Sequence, residues 1–167
     1  LAPLEAAFVK VGALIEVLRA AGHDIRTADL GGGLGVPYDP AQPLPPSPAD
    51  YGAMVCRVTQ SWPVRLMFEP GRVIVGNAGV LLSRVIRVKQ GAHAPFVIVD
   101  AAMNDLIRPS LYQSHHEIVP LVRGERPEIV ADVVGPVCET GDFLAREREM
   151  ADVTPGEVLA VCTAGAY

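Results

Sequence analysis

Leu4, Phe8, Val11, Leu14, Ile15 and Leu18 recur at the spacing of one helix face through an alanine-rich segment, and Gly22 supplies a left-handed stop. The pattern predicts an amphipathic helix over residues 3–21. A short run from Ile25 to Leu30 then reads as a strand, followed by Gly31-Gly32-Gly33-Leu34-Gly35. The stretch from Pro37 to Pro48 holds too many prolines for a helix or a central strand, so it is a surface loop. Ser47-Pro48-Ala49-Asp50 has the form of a helix start, predicting a second helix to about Ser61, and Val64 to Phe68 makes a second strand. The order to this point is helix, strand, helix, strand.

Beyond Arg72 the pattern changes. Residues 80–89, 96–100, 116–122, 129–134 and 157–163 are rich in β-branched side chains and separated by glycine or proline, which predicts strands without intervening helices. Alternating helices and strands followed by a run of strands imply two domains, residues 1–72 and 73–167. Two βα units can neither close a barrel nor cover both faces of a sheet. The chain starts at Leu1 and stops at Tyr167 just after an apolar run, and is expected to be a piece truncated at both ends.

Composition narrows the function. A net charge of −5 without a basic stripe argues against nucleic acid or an anionic membrane surface as the main partner. Apolar runs fall well short of the roughly 18 residues of a membrane helix. Cys56, Cys138 and Cys162 are odd in number and lack metal-ligand spacing, so neither a disulfide framework nor a metal site is expected, and a reducing cytoplasm is.

Candidate chemistry is concentrated in the turns. Consecutive glycines at 31–33 let backbone amides converge on an anion, and phosphate is the natural guest. The turn lacks the lysine of a Walker loop and the spacing of a dinucleotide fingerprint. Glu69-Pro70-Gly71-Arg72 closes the next apolar run: a carboxylate there suits a pyridine nitrogen and an arginine suits a phosphate or carboxylate, although a local ion pair around a proline turn is the plainer alternative. Gly135 to Asp142 (GPVCETGD) sets the Cys138 thiol beside the Glu139 carboxylate; an inert packing cysteine is the competing reading. Arg108 and Tyr112 stand in an otherwise apolar stretch and suit carboxylate recognition.

Taken together, Asp29 to Tyr38 (DLGGGLGVPY), Phe68 to Asn77 (FEPGRVIVGN), Val99 to Tyr112 (VDAAMNDLIRPSLY), Gly135 to Asp142 and the terminal Ala164-Gly165-Ala166-Tyr167 resemble the diaminopimelate decarboxylases, within the fold-type III pyridoxal-phosphate amino-acid decarboxylases. The resemblance implies the last βα units of a (β/α)8 barrel followed by a β-sandwich or β-barrel domain, as in alanine racemase-like folds. It implies pyridoxal 5'-phosphate as cofactor, meso-2,6-diaminopimelate as substrate, and L-lysine and carbon dioxide as products.

Residue by residue, it implies that Gly31, Gly32 and Gly33 bind the cofactor phosphate and that Glu69 holds the pyridinium nitrogen. Gly71 and Arg72 share that turn, with Arg72 also reaching the substrate, and Tyr167 lies near the cofactor. Arg108 and Tyr112 would recognise the distal carboxylate and Glu139 the distal ammonium, while Cys138 would return a proton to the α-carbon. Cys138 and Glu139 would reach the site from the partner of a homodimer. No segment matches the family's cofactor lysine, and neither Lys10 nor Lys89 is assigned to it, so these residues alone are expected not to turn over substrate. Ser114-His115-His116 departs from the family, which often has an aromatic residue before the histidine, and neither histidine is assigned a catalytic role. Two other readings stay open: a decarboxylase of ornithine, arginine or a carboxylated polyamine, and a non-catalytic regulatory homologue.

Overall fold

The computed structural model describes residues 1–167 and divides into two compact units, Leu1–Pro37 with Pro43–Ile74, and Tyr38–Gln42 with Val75–Tyr167. In the first unit, α1 (Ala2–Ala20) has Pro3 in its first turn, where a missing amide proton costs nothing. It ends in a Schellman motif: Gly22, at φ 87°, donates to the Arg19 carbonyl and His23 to that of Leu18. The second helix, α2 (Pro48–Thr59), starts from a capping box in which Ser47 Oγ accepts from the Asp50 amide (3.1 Å) while the Asp50 carboxylate accepts from the Ser47 amide (3.0 Å).

Between and after these helices lie β1 (Thr27–Asp29) and β2 (Arg65–Met67), a parallel pair in register Thr27 with Arg65 through Asp29 with Met67. Both strands are shorter than the runs expected for them. Phe8, Leu30, Met54 and Val55 form the buried cluster, with Tyr51, Trp62 and Leu66 packed against it. Gly12 lets α1 seat the Trp62 indole, since a Cβ there would lie 2.7 Å from the ring nitrogen.

The second unit is one nearly closed mixed sheet. Its strands are β3 (Leu81–Lys89), β4 (Phe96–Val99), β5 (Ile118–Pro120), β6 (Glu128–Val134), β7 (Phe143–Ala151) and β8 (Val158–Val161), in the order β5-β8-β3-β4-β6-β7. All pairings are antiparallel except β4 with β6, so the chain from Ala101 to Pro127 must cross over. Val97, Val99, Ala131 and Val133 are fully enclosed, and Val85, Leu144, Leu159 and Val161 complete the centre. The sheet's two ends approach each other where Arg148 of β7 donates to the His116 carbonyl, just ahead of β5 (2.6 Å).

The sequence pattern missed three elements besides the 3-10 turn at Gly76–Ala78. Arg72–Val75 form a one-turn helix, α3, and Arg108–Tyr112 form α4, so the later segment is not free of helix. Strand β7 was not expected, because FLAREREMA is rich in good helix formers. Pairing with β6 and burial of Leu144, Ala145 and Met150 override that propensity.

Candidate functional site

In the first unit, the parallel register of β1 and β2 carries on past the strand ends. Leu30 donates to the Met67 carbonyl (3.0 Å) and Glu69 to that of Gly31 (2.8 Å), which stitches the glycine turn to the Glu69-Pro70 turn. Ligands of parallel sheets bind at the carboxyl ends of strands, and both turns occupy that position. Gly31 (φ 65°) and Gly33 (φ 93°) take left-handed conformations, and the Gly31 amide donates to Asp29 Oδ1 (2.8 Å). A Cβ on Gly32 would meet the Glu69 carbonyl oxygen at 2.4 Å, so no other residue fits there without moving the backbone. A cavity of about 330 Å³ opens here, lined by the three glycines, Phe68, Arg72 and the α2 residue Tyr51 among others. The Glu69 side chain is exposed at the same corner.

The second unit holds two further groups. Two aspartates lead the chain into the first: Asp100, just after β4, accepts from the Arg84 amide (2.7 Å) and the Ser83 hydroxyl (2.8 Å), which hold its carboxyl below the ordinary value. Asp105 accepts from the Ala102 amide (2.8 Å) and closes the turn that leads into α4. Arg108 then projects between two aromatic rings, its guanidinium carbon 4.7 Å from the Tyr38 centroid and 4.2 Å from that of Tyr167. The Tyr38 and Tyr167 hydroxyls hydrogen-bond to each other. Arg108 Nη1 also lies 3.1 Å from Nε2 of His116, a residue with no exposed surface. Tyr167 donates its amide to the Ala164 carbonyl (3.1 Å), and in the turn before it Gly165 packs so closely that a Cβ there would strike the Val75 carbonyl at 2.0 Å. Tyr112, one turn along α4, is exposed.

The other group is the Gly135–Asp142 turn. Asp142 is buried, and its carboxylate accepts from the amides of Val137 (2.7 Å) and Met103 (2.6 Å). Ser110 of α4 donates to the Gly141 carbonyl. These bonds make the Arg108 segment and the Cys138 turn a single assembly, although they are distant in sequence. Cys138 and Glu139 are exposed at its tip. The Thr140 hydroxyl and then the Gly141 and Thr140 amides hold the Glu139 carboxyl below its ordinary value, so it stays ionised near neutrality.

With this geometry in view, the chain was compared with known proteins. Residues 17–165 match the family described as pyridoxal-dependent decarboxylase, C-terminal sheet domain. The chain belongs to this family. It is similar to diaminopimelate decarboxylase of Zymomonas mobilis, 55% identical over all 167 residues and 39% of the relative, and to that of Aquifex aeolicus, 47% identical over the whole chain and 40% of the relative. Among solved structures it resembles diaminopimelate decarboxylase of Helicobacter pylori complexed with L-lysine, with a TM-score of 0.86 and 37% identity over 99% of this chain and 40% of that one. The chain thus spans about two fifths of the length of the relatives it matches.

Pyridoxal phosphate fits the family's glycine corner on physical grounds. A cradle closed to any Cβ at Gly32, a glycine turn whose left-handed residues Gly31 and Gly33 flank it, and an adjoining cavity suit a phosphate. Sequence reasoning gave no role to Tyr38, His116 or Asp142. Tyr38 and Asp142 fall inside the recognised motifs, but their partners lie at Tyr167, Arg108 and Met103, and no local pattern signals such pairs.

Proposed function

We propose that the full-length protein carrying this chain is a cytoplasmic, pyridoxal-phosphate-dependent carboxy-lyase that converts meso-2,6-diaminopimelate to L-lysine and carbon dioxide. The observation that carries the reading is similarity along the entire chain, at 42–55% identity, to proteins named diaminopimelate decarboxylase. In this proposal residues 1–72 are the end of a (β/α)8 barrel and residues 73–167 belong to the β domain that follows it.

When bound, pyridoxal phosphate supplies an electron sink for the pair left behind as a carboxylate departs as carbon dioxide. Gly31, Gly32 and Gly33 would hold its phosphate, with the Gly32 and Gly33 amides as donors because that of Gly31 is bonded to Asp29, and with Gly71 and Arg72 at the neighbouring turn and Tyr167 beside the cofactor. Glu69 would keep the pyridine nitrogen protonated, because a carboxylate next to it favours the charged form.

The remaining roles belong to the substrate's far end and to the proton. Arg108 would bind the distal carboxylate with its fork of N–H groups, aided by Tyr112, and Arg72 would also touch the substrate. Glu139, ionised near neutrality, would take the distal ammonium. The Cys138 thiol would give its proton to the α-carbon after carbon dioxide leaves, with the thiolate as the conjugate base. The exposure of Cys138 and Glu139 on a turn suits delivery across a homodimer interface.

The test is carbon dioxide release by the full-length protein with pyridoxal phosphate, comparing meso-diaminopimelate, ornithine and arginine. Release from diaminopimelate alone, with lysine formed, is expected. Release from ornithine or arginine instead overturns the substrate, and release from none favours a regulatory homologue.

A further inference from the structure

We propose that His116 is a positioning residue: it fixes the rotation of the Arg108 guanidinium and thereby sets how strongly the protein prefers a substrate with a distal carboxylate. This rests on the reading of Arg108 as the group that meets that carboxylate. The side chain of His116 is completely enclosed, and both ring nitrogens are used. Nδ1 lies 2.9 Å from the Cys162 carbonyl oxygen, which can only accept, so Nδ1 carries the hydrogen. In the neutral ring Nε2 is then an acceptor, and Arg108 Nη1, which can only donate, lies 3.1 Å from it.

Protonating the ring would set two donors face to face. Burial opposes that most strongly, and the nearby Arg108 and Arg148 cations add to it, so the imidazole is held below its ordinary pKa despite the Cys162 carbonyl. The ring cannot turn away either. Tyr38 and Tyr167 meet it edge-on, at 5.3 and 6.2 Å between centroids, and Arg148 clasps the His116 carbonyl from β7.

Stacking and hydrogen bonding divide the work. The two tyrosine rings hold the guanidinium carbon over their faces, a contact that a planar cation can keep while it rotates in its own plane. A hydrogen bond from one terminal nitrogen to His116 removes that freedom and decides which N–H edge is left for a carboxylate. A guanidinium held in this way needs less ordering when the substrate binds.

Two substitutions separate positioning from bulk. His116→Gln can present an amide oxygen near the Nε2 position, whereas His116→Asn can reproduce the Nδ1 donor but does not reach Arg108. Both are measured in the full-length protein with pyridoxal phosphate, alongside Arg108→Met, by kcat and KM for meso-diaminopimelate and by the inhibition constant of L-lysine, which has no distal carboxylate. For His116→Asn the expected result is a KM for diaminopimelate about tenfold higher, with kcat and the lysine constant within about threefold, as for loss of one charge-assisted bond made equally in ground and transition states. His116→Gln should recover most of that loss.

Equal KM values for Gln and Asn, or parallel weakening of diaminopimelate and lysine, overturn the positioning role. If Arg108→Met itself fails to separate the two ligands, the reading of Arg108 falls and the proposal falls with it. If Arg108→Met separates them but His116→Asn does not, only the proposal falls. Nitrogen NMR of the unmodified protein is an independent check that requires no variant to fold: a ring protonated at Nδ1 alone supports the proposal, and one protonated at Nε2 overturns it.

Discussion

The glycine corner and the Arg108 cluster prepare for anions by opposite means. Gly31–Gly33 rely on backbone, with left-handed φ angles at Gly31 and Gly33 and a position closed to any Cβ at Gly32, and side-chain identity enters mainly as what must be absent. Arg108 depends on what must be present: two tyrosine rings, an enclosed imidazole and the buried Asp142 carboxylate that ties the neighbouring turns together. A main-chain cradle should therefore fail when atoms are added. A side-chain network should fail when atoms are removed.

The steepest break is expected at the tip of the network. Cys138→Ala in the full-length protein should slow turnover by about 10²-fold or more, the usual scale for loss of a positioned proton donor, while cofactor absorbance persists. Undiminished turnover would remove its role. Asp142→Ala comes next, since it strands the Val137 and Met103 amides and loosens the turn that carries Cys138 and Glu139. A loss of about 2–4 kcal/mol in urea unfolding is expected, from one or two donors left without partners.

On the glycine side, Gly32→Ala forces a Cβ against the Glu69 carbonyl and should cost about 1–3 kcal/mol, as overpacking does, together with weaker cofactor uptake. Gly52 provides the contrast: it lies inside α2 with nothing within 4 Å of a built Cβ, so Gly52→Ala should stabilise by about 0.5–1 kcal/mol. If both substitutions behaved alike, the distinction between a required and a tolerated glycine would be lost.

This contrast also governs what could be read from the chain. The glycine corner was legible because a ban on Cβ is written into the sequence as glycine, and the adjacent run to Glu69 is local. Helix α2 was legible from Ser47, Pro48 and Asp50, whose capping bonds span three residues. His116 was set aside because Cys162 is brought to it only by the pairing of β5 with β8, and Arg108, eight residues back, stands in no periodic relation to it. Strand β7 was hidden for the same reason: nothing within FLAREREMA calls for a strand, and the cause is its neighbour β6. Five-residue α4 carries a proline in its first turn, a start signal, but is too short for periodicity to register.

A smaller effect concerns pH. Because His116 has a lowered pKa in the fold, the unfolded chain binds more protons between the folded value and the ordinary value of about 6.5. Stability from this group is therefore full above about pH 6.5 and declines as pH falls below it. Urea midpoints at about pH 7 and about pH 5 should differ less in His116→Gln than in the unmodified protein. An identical pH dependence in the two would mean that the imidazole titrates in the fold as it does in the open chain.

The smallest change tests where the two styles of site meet in one side chain. Tyr51 borders the glycine cavity with its ring stacked edge-on between Phe8 and Phe68, yet its hydroxyl is buried without a hydrogen-bond partner, and burial pushes its pKa up. A buried hydroxyl left in this way loses water and gains nothing in return. Tyr51→Phe keeps the ring contacts and removes only that oxygen, so the thermal midpoint should hold steady or rise, by no more than about 1 kcal/mol in stability. A clear fall would mean that the hydroxyl is satisfied in the full-length protein. Repeating the measurement with pyridoxal phosphate present then locates the partner: a fall seen only with cofactor would put the hydroxyl in contact with the cavity's guest, adding a side-chain donor to a corner otherwise built from backbone.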